Sequence, residues 1–105
     1  MGSRTQTVSV TGVAASAALL LDPNSVGPYP SIQLDLGAGC TATVQVTLDD
    51  PADAGATWVA APVAALVGAT TDLAASLGMA ARAVRLNQTA GAAASTMKVL
   101  CPGIV

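Results

Sequence analysis

The chain has 105 residues, no His, and four Lys/Arg against six acidic residues, for a formal charge of −2. That length suits one domain, and a charged fraction of 10% beside a hydrophobic fraction of 52% excludes a disordered polyelectrolyte, a basic nucleic-acid binder and a polybasic membrane-surface segment. Much of the hydrophobic fraction is Ala, Phe is absent and Tyr29 and Trp58 are the only aromatics, so a core of Val, Leu and Ile is thin and favours assembly with other subunits.

Alternation of period two governs the first half of the chain. Val8 and Val10 alternate with Thr7, Ser9 and Thr11, which reads as a half-buried strand ended by Gly12. A second strand is predicted at Ala17 to Leu21 before the turn-forming Asp22-Pro23-Asn24. Ile32, Leu34 and Leu36 alternate with Ser31, Gln33 and Asp35, and Cys40, Ala42, Val44, Val46 and Leu48 alternate with Thr41, Thr43, Gln45 and Thr47. Gly37-Ala38-Gly39 separates these two strands, and Asp49-Asp50-Pro51 ends the second.

Three more strands are predicted at Thr57 to Ala61, Ala81 to Asn87 and Ser95 to Cys101. Between Pro62 and Met79 the chain reads as one long Ala-rich connection with a short helical turn, since Leu73 and Leu77 stand at helical spacing. The sum is an all-β fold, a small antiparallel β-sandwich of about seven strands, jelly-roll or immunoglobulin-like, over residues 1 to 105 with residues 1 to 5 frayed.

The apolar runs Val13 to Leu21 and Val59 to Ala69 are too short to span a bilayer, and the opening residues carry no secretory pattern. A cytosolic site of synthesis follows as the expectation. There Cys40 and Cys101 are read as buried free thiols, with a disulfide as the alternative under oxidising conditions.

Without His, neither a Ser-His-Asp nor a Cys-His arrangement can form within one chain. Ser95-Thr96-Met97-Lys98 matches an S-x-x-K pattern in letters only, because on a strand Ser95 and Lys98 face opposite sides. Asp49, Asp50 and Asp53 cluster around Pro51 without the bidentate Glu of an EF-hand loop, so they are read as turn formers rather than a cation site. No catalytic residue, metal or cofactor is assigned. Trp58 is read either as the centre of the core or as an interface anchor, and Arg82 and Arg85, with Asp49 and Asp50, as candidates for registering pairs at a subunit contact.

Four pieces in order look familiar. Thr43-Val44-Gln45-Val46-Thr47-Leu48-Asp49-Asp50-Pro51, then Thr57-Trp58, then Arg82-Ala83-Val84-Arg85-Leu86-Asn87, then Thr89-Ala90-Gly91 resemble small structural proteins of tailed bacteriophages. The resemblance covers residues 40 to 100 and departs from the pattern after Trp58, where Val59-Ala60-Ala61 replaces a Phe-Pro pair. It implies a non-enzymatic virion subunit, assembled in a bacterial cytoplasm. The leading expectation is a capsid decoration or cement protein that braces the major capsid protein as a homotrimer on the surface of the head. A ring-forming tail or head-to-tail connector component is the alternative, and a glycan-binding sandwich module is a further one.

Overall fold

A computed structural model describes residues 4–21, 30–79 and 81–101. Among the described residues two antiparallel sheets pack face to face, built from the strands β1 (Arg4–Thr11), β2 (Ala14–Ala15), β3 (Leu19–Leu20), β4 (Ser31–Asp35), β5 (Thr41–Thr47), β6 (Val59–Ala60), β7 (Leu73–Ser76), β8 (Ala83–Ala90) and β9 (Ala94–Cys101).

The alternation read from the sequence is the alternation of burial. Ile32 and Leu34 of β4, Ala42, Val44 and Val46 of β5, Val84 and Leu86 of β8, and Met97 and Val99 of β9 point inward and are buried, while their Thr, Gln and Ser neighbours face outward. Leu66 and Leu77 complete this aliphatic core from the connection between β6 and β8.

The pairing follows a nested order. β1 pairs with β9, β2 and β3 with β8, β4 with β7, and β5 with β6, as in one long hairpin; the hairpin is then rolled so that β9 meets β4 and β8 meets β5. The sheets therefore read β1-β9-β4-β7 and β2-β8-β5-β6, with β3 beside β8. Together they make a small antiparallel all-β sandwich. β2 and β3 act as one interrupted strand: between them the Ser16 N–H donates to Leu86 O at 2.8 Å and Ser16 Oγ accepts from the Leu86 N–H at 2.9 Å.

One expectation changes. The connection from Pro62 to Met79 holds a 3-10 turn at Ala64–Leu66, but Leu73–Ser76 is a strand and not a helical turn. Leu73 and Ala75 alternate with exposed Ala74 and Ser76, and β4 supplies the hydrogen-bonding partner that overrides the local preference of Ala for helix. At the N-terminus, within the stretch expected to fray, the backbones of Arg4 and Thr5 extend β1 opposite Cys101 and Leu100; residues 1 to 3 lie outside the described residues.

Cys40 is a buried free thiol, 2% exposed. Its Sγ lies 3.5 Å from Ala93 O, at the start of β9, whereas Cys101 ends that strand. At about 3.3 Å per residue the two cysteines sit about 23 Å apart along β9, far beyond the reach of a disulfide. The side chain of Cys101 lies outside the described residues.

Candidate functional site

The five residues singled out for an interface converge at one end of the β5-β6-β8 sheet. β5 runs into the Asp49-Asp50-Pro51 turn, whose three carboxylates close the loop on itself. Asp49 Oδ2 accepts from the Thr57 N–H at 2.8 Å, Asp50 Oδ1 from the Ala52 N–H at 3.0 Å and Asp53 Oδ1 from the Gly55 N–H at 2.9 Å. Thr47 Oγ1 in turn accepts from the Asp49 N–H at 3.1 Å. These are the Asx-type bonds that Asp favours at turns, and they hand the chain back to the sheet at Trp58.

The register then does the placing. Val59 lies opposite Val46 and Ala60 opposite Gln45, which brings Trp58 beside Thr47 on the outer face; Arg85 of β8 lies opposite Gln45 on the same face. The Arg85 guanidinium carbon sits 4.4 Å from the centroid of the Trp58 ring, and Arg85 Nε donates to Gln45 Oε1 at 2.7 Å. A planar cation held by a ring on one side and an amide on its edge loses little freedom when it binds, and its other N–H donors form a fork suited to a carboxylate. Among the described residues Arg85 has no carboxylate partner.

Trp58 is half-buried and stands outside the core cluster, so it is not the centre of the core. Arg82 precedes β8, so strand alternation does not govern it. Its N–H donates to Thr47 O at 2.9 Å, and its guanidinium reaches Asp50 Oδ2 at 4.0 Å with both side chains more than half exposed, a geometry that contributes little to stability. Asp49 and Asp50 are therefore first of all builders of the turn.

Two apolar neighbours were not singled out from the sequence. Leu48 and Val59 share the inward parity of Val46 but lie past the end of the core, where they remain 68% and 53% exposed. The continuation of the Val44-Val46-Leu48 alternation into the turn was their only signal. The contact between Arg85 and Trp58 had none, because it is made across β5 by residues distant in sequence. Tyr29, the other aromatic, lies outside the described residues.

The outer face of the opposite sheet offers a shallow hollow of about 250 Å³ lined by Thr5, Ser31, Gln33, Ala74, Lys98 and Leu100. Its single cation, Lys98, already reaches Asp35 at 4.0 Å, and no carboxylate, thiol or amine pair converges there. Ser95 is buried and accepts from the Gly37 N–H at 3.1 Å while Lys98 is exposed on the other face, so the S-x-x-K letters form no catalytic pair. Among the described residues no three metal-ligating side chains cluster, and no helix is long and apolar enough to cross a membrane. No family model, curated protein or solved structure matches the chain.

Proposed function

We propose that the protein is a structural subunit of a tailed-bacteriophage virion, a decoration or cement protein that binds the assembled head and stabilises it through contacts with the major capsid protein. The observation that carries this reading is the preset Trp58-Arg85-Gln45 cluster on the outer face. Trp and Arg are among the side chains most enriched where partner proteins gain their binding energy. The phage-like order of motifs in residues 40 to 100 points the same way, and this patch is built from them. The all-β sandwich is compatible with capsid roles and by itself selects none.

The mechanism is mass action. A subunit that binds the lattice and not its free components shifts the lattice equilibrium by RT ln(1 + [L]/Kd), and an assembly contacting several capsid subunits gains further by multivalency.

The test uses purified protein and expanded heads that lack it. Stoichiometric binding with a rise in the melting temperature of the heads, lost in Trp58→Ala and Arg85→Ala proteins that stay folded, supports the reading. Heads that neither bind the protein nor change their melting temperature overturn it. The glycan-binding alternative loses ground to the Arg85 contact, because a guanidinium already covers one face of the Trp58 ring.

A further inference from the structure

A sheet edge is a row of backbone donors and acceptors without partners, and proteins keep foreign strands away by making edges short, charged, bulged or proline-broken. Three of the four edges here are short. β6 has two residues, the β2 and β3 edge is two pieces of two, and β7 has four. β1 has eight, and among the described residues its ladder runs to β9 alone.

Apart from the charge of Arg4 at its first position, none of the other defences is present on β1. Its register with β9 is unbroken from Arg4 to Thr11, so no bulge turns the edge aside. Thr5 to Thr11 contains no charge and no proline, and β-branched Thr and Val make up most of it. Val8 faces inward but is only half-buried, whereas Val10 is buried, so apolar surface is left at the rim for something to cover.

We propose that β1 is a self-association edge: the β1 strands of two copies pair antiparallel about a two-fold axis, joining two four-stranded sheets into one continuous sheet. The second copy is the occupant because the strand is complementary to itself. Thr5, Thr7, Ser9 and Thr11 all present exposed hydroxyls on the outer face. An axis at Val8 sets Thr7 against Ser9 and Thr5 against Thr11 of the second copy, hydroxyl to hydroxyl, and Val8 against Val8 on the inner face. The chain already makes such a pair on the other side of β1, where Ser9 Oγ and Thr96 Oγ1 lie 3.0 Å apart. Arg4, the one charge on the strand, falls opposite Gly12 of the second copy, so like charges do not meet. A two-fold pair makes the unit in solution a dimer, in place of the trimer expected from the sequence. It leaves the Trp58 side free, since β1 and β6 lie at opposite lateral edges of the sandwich.

Sedimentation equilibrium of the whole chain is the test. The wild-type protein is expected at twice its 10.2 kDa chain mass. Thr7→Lys and Thr7→Glu, at an exposed outer-face position, each place like charges across the axis and weaken association about tenfold or more. Mixing the two variants restores the dimer, which it can do only if both are folded. Ser31→Lys, exposed on β4 two strands from the edge, leaves the mass unchanged. A wild-type monomer, a trimer or larger ring, a dimer indifferent to Thr7→Lys, or a mixture that stays monomeric overturns the proposal. Because no phage head enters this experiment, its failure is separate from failure of lattice binding.

Discussion

The two ends of the β5-β8 pair are built on opposite principles. At one end the turns Gly37 to Cys40 and Gly91 to Ala93 lock together by close contact: Gly91 has φ +97°, and a Cβ there would lie 2.6 Å from Cys40 Sγ and 2.7 Å from Cys40 Cα. Buried Gln88 clamps the second turn, its Nε2 donating to Ala93 O at 2.8 Å and Gly91 O at 3.3 Å while Oε1 has no partner. At the other end the Asp49 to Trp58 loop is held by carboxylate-to-backbone bonds, and its large side chains stay at the surface. One end resists any added atom, and the other keeps its Trp, Arg and Leu side chains open to a partner. On the proposed function, stability and recognition are separated by the length of a strand, so substitutions at the two ends should fail in different assays.

The sharpest way to break this comparison is at the closed end. Gly91→Ala combines a positive φ with a clash against backbone, and is expected to cost about 3 kcal/mol of stability in urea unfolding. In a domain with so thin a core that leaves little reserve. Adding Cys40→Ala removes the contact with sulfur but not the one with Cys40 Cα, so rescue should be partial. Gln88→Ala comes next, at about 2 kcal/mol, because it strips the side-chain amide donor from two carbonyls and leaves a void.

At the open end the effects on stability shrink. Asp49→Ala frees the Thr57 N–H and is expected to lower stability by about 1 kcal/mol, with the Trp58 emission spectrum shifting as the loop loosens. Arg82→Ala removes only an exposed ion pair at 4.0 Å, so its unfolding free energy should stay within about 0.5 kcal/mol of wild type. Thiol labelling sharpens the contrast: Cys40 should react with a thiol reagent only as fast as the closed end opens, so labelling of Cys40 should accelerate in Gly91→Ala and not in Arg82→Ala. Equal labelling rates in the two variants would show that the ends do not open independently.

Much of the fold was legible in the residues, and the reason is local. A half-buried strand must alternate, and Ile32-Gln33-Leu34 or Ala42-Thr43-Val44-Gln45-Val46 does so whatever it pairs with. β2, β6 and β7 escaped or blurred because two to four residues rich in Ala carry no period of their own; their conformation comes from the strand beside them. Asp49, Asp50, Trp58, Arg82 and Arg85 were recognisable as residue types worth watching. That Asp49 and Asp50 would turn inward on their own loop, and that Arg85 would lie over Trp58, depended on β5 passing between β6 and β8.

By itself, then, the sequence determined an all-β chain with a thin aliphatic core, where its strands turn, and that no histidine is present to act as a base. These follow from side-chain chemistry and short-range geometry, which each segment carries with it. The tertiary structure alone decided the nested and rolled strand order, the separation of Cys40 from Cys101, the stacking of Arg85 on Trp58 and the one long edge at β1. Each of these is a meeting of residues distant along the chain, and such meetings are set by which sheets pack together, not by any window of sequence.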